Sequence, residues 1–281
     1  NTGLGQGALQ GNTTGSSNTA VGKAALGVAT TASSNTAVGL AALGAVTTGA
    51  LNTALGSLAG DAITTGSQNI AIGYNALSAN TTSNSNVAIG AAALSVATSA
   101  NNTAVGDVAL NLVSTGAQNT AIGAQAGDAI TTGSNNTAIG YEALGKATTG
   151  TDNTGVGRAS GLDITTGDGN VSVGVEALEN TTTGSNNVAL GKQAGRSVTT
   201  GGNLLLLGTS SGISGSPGGA LTTGNNEVTL GNGDHSKINV QVSLTVASDE
   251  RDKTDFTNLD LGLAFVNQLQ PVTYKWDKRH K

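Results

Sequence analysis

Residues 119–135 read NTAIGAQAGDAITTGSN, and residues 136–152 read NTAIGYEALGKATTGTD. They align without a gap over 17 positions, sharing the opening Asn-Thr-Ala-Ile-Gly, an Ala at position 8 and Thr-Thr-Gly at positions 13 to 15. Outward from this pair, a glycine preceded by Val, Ile or Leu recurs from Gly5 through Gly22, Gly39 and onward to Gly191 and Gly208, with every spacing 17 except one of 16. Twelve units result, and Asn opens each of them, from Asn1 and Asn18 to Asn170 and Asn187. The short unit, 86–101, keeps its Asn-Val-Ala-Ile-Gly start and lacks a residue near Thr98–Asn101, so that stretch is expected to be a surface turn. A fixed period of this kind is the signature of a repeat architecture.

The unit is too short for a pair of helices. It holds one β-prone run between breaks rich in Gly, Thr, Ser and Asn, which suits one coil of an all-β solenoid or β-roll. Composition agrees: 43 Gly, 2 Pro, no Cys, no Met and 2% aromatics leave a core of Ala, Val, Leu and Ile packed by regular stacking. Strands are expected near unit positions 2–4 and 8–12. At position 4 stands Val, Ile or Leu (Val21, Ile72, Ile139, Leu190), flanked by Ala20, Ala71 or Ala138 and by Gly22, Gly73 or Gly140. Alternation sends neighbours to opposite faces. The expectation is that the large residue fills the coil and that the Ala/Gly column forms a smooth outer face on which two further copies pack, giving a parallel homotrimer. Where position 9 is Gly (Gly60, Gly127, Gly161, Gly195), position 12 is Ile or Val. Where position 9 is Leu it is mostly Asn, Ala or Thr, with Leu43/Val46 and Leu110/Val113 as exceptions. Such an exchange of volume is expected of two side chains sharing one interior slot.

The pattern divides the chain into a repeat stalk at 1–208, a loop and β-strand neck at 209–247, and a different module at 248–281. Register slips from Asn203, and Thr209–Ala220 reads as a loop or insertion around Ser-Gly-Ser-Pro-Gly-Gly. A strand pair is expected at 227–230 and 237–246, the second from the alternation of Ile238, Val240, Val242, Leu244 and Val246. The last 34 residues hold 12 of the 29 charged side chains and four of the six aromatics. There Leu259, Leu263, Val266 and Leu269 form a helical stripe ended by Pro271, with a strand at 272–276.

The run Ala247-Ser248-Asp249-Glu250-Arg251-Asp252-Lys253-Thr254-Asp255, followed by Gly262–Val272 and Tyr274-Lys275-Trp276, closely resembles the start of the intramolecular chaperone of endosialidase family. That family terminates phage tail fibres and tailspikes and some bacterial surface fibres, trimerises, assists folding of the β-rich stalk and cuts itself off. The resemblance implies cleavage after Ala247, with Ser248 as nucleophile and Lys253 as its base; a lysine of lowered pKa can accept a serine's proton. Only 34 residues of a normally longer domain are matched, and the chain starts inside a repeat, so it reads as a fragment. The repeats also resemble the head of trimeric autotransporter adhesins, whose N-S-x-A-(I/V)-G units build a left-handed β-roll.

Function is therefore expected to be structural, not enzymatic apart from that autoproteolysis. The first reading is a segment of a trimeric phage tail fibre, extracellular on the virion and involved in attachment to a host receptor or glycan. The second is a bacterial trimeric surface adhesin. Ice binding or carbohydrate binding by the solenoid is a third class, suggested by repeated Thr-Thr pairs such as Thr64-Thr65, although a flat ice-matching array usually needs Thr-x-Thr. The net charge of −5 and the absence of Lys/Arg clusters in the repeats argue against nucleic acid or anionic membrane as partner. No apolar run reaches the roughly 20 residues of a membrane span. Asp61 and Asp128, the recurrent acids at position 10, stand four units apart, about 19 Å, too far for a general acid and its partner. His235 and His280 are too few for a metal site, no cofactor is expected, and Tyr74 and Tyr141 are the isolated aromatics of the stalk.

Overall fold

The computed structural model describes residues 1–237 and 239. It is an all-β solenoid. Fourteen strands of three residues, the first Thr2–Leu4 and the last Val228–Leu230, lie side by side in chain order in one parallel sheet. Each strand occupies positions 2–4 of its unit and pairs one full coil away, as Thr120↔Thr137, Ala121↔Ala138 and Ile122↔Ile139 do. The missing residue of the short unit leaves this register intact, because Val87 still faces Thr103. Thr98 N–H donates to the position-13 carbonyl of the next coil, and Asn86 Nδ2 reaches Ser99 O where other units use position 15. The gap is thus at position 14, whose residues elsewhere, such as Thr31 and Thr65, are exposed turn threonines.

The asparagine that opens each unit explains why the coils stack. Its side chain points inward and is wholly buried, from Asn18 and Asn35 to Asn187. Oδ1 accepts the backbone N–H of the next coil's asparagine at 2.8–3.0 Å. Nδ2 donates to the position-15 carbonyl of the same coil at 2.8–2.9 Å in Asn119, Asn136, Asn153, Asn170 and Asn187, closing the loop. Buried carboxamides are tolerated because both ends are satisfied. A second column supports the first: the hydroxyl at position 13 donates to the position-13 carbonyl of the following coil, as in Thr131→Thr148 and Thr148→Thr165. The threonines are thereby split, one hydroxyl column used within the stack and one facing water.

Tight corners need unusual backbone. In the coil 18–34, Ala24, Leu26 and Ser34 at positions 7, 9 and 17 have φ of 57°, 48° and 60°. Left-handed residues at 7 and 9 break the pleat, so the expected second strand at positions 8–12 is not formed; that side of the coil is a run of turns. It is nonetheless stacked by hydrogen bonds such as Leu26 N–H to Ala42 O. The glycine at position 5 is required twice over. Gly106 has φ 142°, and a Cβ there would lie 2.3 Å from the carbonyl oxygen of Gly123 in the next coil.

The assignment of faces is the reverse of the sequence expectation. The alanine of each strand (Ala20, Ala71, Ala138) is buried inside the coil, whereas the Val, Ile or Leu at position 4 faces outward. The interior beside the strand is too thin for a large side chain: at Gly155, a Cβ would already lie 2.8 Å from Ser160 O and 3.0 Å from Leu144 Cγ. The large interior residues are instead Leu at position 9 and Ile at position 12, including Leu110, Ile130 and Leu144. In the coils from Asn153 and Asn170 the usual Ala pair gives way to Ser160 and Ser172. Their buried hydroxyls are 2.9 Å apart, and Ser160 Oγ also donates to Ser172 O at 2.7 Å.

The exchange between positions 9 and 12 has a direct geometric cause. A Cβ on Gly127 would stand 2.9 Å from both Ile130 Cδ1 and Leu110 Cδ2, so the isoleucine of the same coil and the leucine of the preceding one fill the space a leucine at 127 would take. After Leu204 the stacking continues for one enlarged coil. Leu205–Leu207 pairs with Val228–Leu230, so the latter strand extends the solenoid and does not form an isolated pair with 237–246. Gly212 and Leu221 hold positions 9 and 12, and the extra residues between them form a loop. The segment 238–246, the helical stripe and the strand at 272–276 lie outside the described residues.

Gly127→Leu alone is expected to cost about 1–3 kcal/mol by overpacking, and Ile130→Ala alone about 2–5 kcal/mol by leaving a cavity. The double variant restores the Leu/Ala combination of neighbouring coils and should be destabilised by clearly less than the sum. Guanidinium unfolding of the four proteins measures this coupling; additive losses would show that the two sites do not share a slot.

Candidate functional site: the outer sheet face and the turn face

Because the strands are parallel and in register, position 4 builds one continuous outward column, from Val21, Val38 and Leu55 through Ile122 and Ile139 to Leu190 and Leu207. Several members are well exposed in the single chain: Leu55 is 49% exposed, Ile122 43% and Leu190 42%. Position 2 forms the adjacent column, mostly threonine. It becomes aliphatic at Ile70 and Val87, again at Val171 and Val188, and at Leu205, so that fully apolar bands alternate with mixed ones. A ladder of β-branched residues of this length on an outer sheet face is the kind of patch that marks an interaction surface. Period-2 alternation already separated positions 2 and 4 from position 3; what was missed is that Asn1 of each unit is interior, which puts position 3 inside with it.

The opposite, turn-built face carries the chemistry-bearing side chains. Along its first four coils a groove of about 550 Å³ runs past Gly7, Ala24, Gly27, Ala41 and Gly44 and reaches Asp61. Burial pushes the Asp61 carboxyl up, against the opposing pull of the Asp61 and Ala62 amides, and its Oδ1 is buried without a partner among the described residues. The equivalent Asp128 lines a smaller hollow with Gln125, Glu142, Gly145, Lys146 and Leu162. Its carboxyl is also raised, first by burial and last by the negative charge of Glu142, with the Ala129 and Asp128 amides opposing. Asp61 and Asp128 are separate along the stack. No group of three or more metal-ligating side chains occurs among the described residues.

Further along the same face the charges pair between coils. Lys146 Nζ is 2.6 Å from Asp163 Oδ1, which raises the lysine. Glu176 is held low by hydrogen bonds from Gln193 and then Arg158. Gln193 donates at 2.8 Å, and Arg196 bridges Glu179 through Nε at 2.5 Å and Glu176 through Nη1 at 3.6 Å. These are exposed pairs, individually worth about 0–1 kcal/mol, and their role is to replace small residues with an interlocked polar surface. The sequence reading passed over them because partners such as Arg158 and Glu176 lie 18 residues apart and meet only through the coil. Tyr74 and Tyr141 are both exposed at position 6, and a hydrogen bond with Glu142 raises the Tyr141 phenol.

Ser248, Lys253 and the bond after Ala247 lie outside the described residues. Residues 248–281 match the family model described as chaperone of endosialidase. No curated protein and no solved structure matches the chain. Among the described residues no helix is long and apolar enough to cross a membrane.

The two raised aspartates have a defined pH signature. With folded-state pKa values above the ordinary 3.8, the folded chain binds these protons more tightly than the unfolded chain. Their contribution to stability therefore falls as pH rises from the ordinary value through the folded one. Glu176, held low, acts in the opposite sense: its contribution is present at neutral pH and lost on acidification. Asp61→Asn and Asp128→Asn should be at least as stable as the parent at neutral pH and show a flatter loss between acidic and neutral pH in thermal melts. Variants that melt lower at neutral pH would instead give these carboxylates a stabilising role.

Proposed function

We propose that this chain is a structural segment of a trimeric viral tail fibre, in which three solenoids pack through the outward column of positions 2 and 4 and the C-terminal module assists folding and then releases itself. The observation that carries the reading is the continuous apolar column on the outer sheet face joined, in the same chain, to a stretch matching the chaperone of endosialidase family. Stacked coils alone supply neither recognition nor catalysis, but a parallel sheet with a long β-branched face suits close lateral packing of identical copies: the same column meets itself at the same height in every subunit. Attachment to a host receptor or glycan would be the fibre's task, and the exposed turn face with Tyr74 and Tyr141 is the side left for it. A bacterial trimeric surface adhesin is the second reading, since the same combination of stalk and terminal module serves both; immunogold electron microscopy on virions and on cell envelopes distinguishes them.

Two experiments test the proposal. Light scattering should return a mass near three times 27.2 kDa, and Ile122→Glu with Ile139→Glu, which places charges in the column without entering the core, should shift the mass to that of a single folded chain. A parent protein that is a monodisperse monomer would end the trimer reading. In the longest available form of the protein, Ser248→Ala should abolish processing after Ala247, with Lys253→Ala doing the same; unchanged processing would remove Ser248 as nucleophile.

A further inference from the structure

Asparagine is abundant in this chain, yet only Asn232 precedes a glycine. The distinction matters chemically, because an asparagine is lost when the backbone nitrogen of the following residue attacks its side-chain carboxamide. A following glycine presents no Cβ to obstruct that approach and allows the backbone conformations it needs.

In the repeats both reactants are tied up. The ladder carboxamides are buried and bonded at both ends, and the nitrogen that would attack donates to the next coil, as Thr120 N–H does to Asn136 O at 2.8 Å. The Asn232-Gly233 pair follows the last strand and is arranged differently. Asn232 is half-buried and Gly233, Asp234 and His235 are exposed. The Gly233 amide has no hydrogen-bond partner among the described residues. Asn232 Oδ1 accepts the Asp234 N–H at 3.1 Å and lies 2.7 Å from His235 Nδ1, while Nδ2 is 3.3 Å from Asp234 Oδ2. A donated hydrogen bond on the carboxamide oxygen draws electrons from Cγ and makes it a better electrophile.

We propose that Asn232 is a site of spontaneous deamidation, and that the asparagine ladder protects the stalk from the same reaction. The Gly233 nitrogen bonds to Asn232 Cγ and gives up its proton, the Cγ–Nδ2 bond breaks, and ammonia leaves. Water opens the resulting cyclic imide to aspartate or to isoaspartate. Either product adds a negative charge two residues from Asp234; the isoaspartate also routes the main chain through one additional carbon. The change falls in the stretch of chain between the last strand and residues 248–281.

The test compares the purified full chain, folded and in denaturant, during incubation in mildly alkaline buffer, with peptide mapping by mass spectrometry and isoaspartyl methyltransferase labelling. Conversion in the Asn232 peptide should proceed at a similar rate in both states, whereas ladder peptides such as that of Asn119 should convert only in denaturant. Asn232→Gln should remove the isoaspartyl label from that peptide without altering the melting curve. Protection of Asn232 in the folded chain by about tenfold or more, comparable to the ladder, would overturn the proposal, as would conversion of ladder asparagines at the Asn232 rate in the folded chain.

Discussion

Everything in the stalk depends on one buried carboxamide per coil. The asparagine at position 1 joins two coils through Oδ1 and fastens its own coil through Nδ2. Removing either partner would strand a buried donor or acceptor, which costs about 1–3 kcal/mol, and the ladder repeats that condition at each step. It also explains why the strands can be as short as three residues. A lone strand of that length is marginal, but here its pairing, register and sidedness are set by a residue immediately before it that is already locked to its neighbour. The ladder closes where Leu204 replaces asparagine and its N–H accepts the last link from Asn187 Oδ1 at 3.0 Å. From that point Leu204, Leu206 and Leu221 take over with apolar burial, and the coil enlarges.

The second constraint is thinness. With three left-handed corners and a glycine pressed against the next coil's carbonyl, the interior holds one leucine-sized residue per level plus small ones. That is why alanine dominates the buried positions, why volume is traded between positions 9 and 12, and why large aliphatics at position 4 are driven outside. An exposed apolar column on the sheet and an interlocked polar surface from Lys146 to Arg196 on the turn side are two results of the same cross-section. The side chains the coil cannot hold are the ones available to partners and to water.

Much of this was legible in the residues. The 17-residue period, the strand at positions 2–4, the tolerated deletion in the unit 86–101 and the shared slot of Gly127 and Ile130 all follow from spacing and from residue volume, both of which are properties of the linear chain. The C-terminal stretch was recognisable at Ser248–Lys253 because it departs so sharply in charge and aromatic content. The second strand at positions 8–12 was misread because Ala24 and Leu26 carry no sign of left-handed backbone; alanine and leucine adopt it only when stacked neighbours hold them there.

By itself the sequence determined that this is a stack of identical coils, since only translation along one axis can satisfy a strict 17-residue repeat with one short strand. Which side of the strand faces the interior was decided by the tertiary structure alone. Period-2 alternation says that Ala20 and Val21 point opposite ways, and hydrophobicity would bury the valine. The buried hydrogen bonds of Asn18, however, commit position 1 to the interior, position 3 follows it, and the narrow coil leaves room there for nothing larger than alanine or serine. The valine is left facing out, and the surface on which the proposed function rests exists because a polar ladder outranked apolar burial.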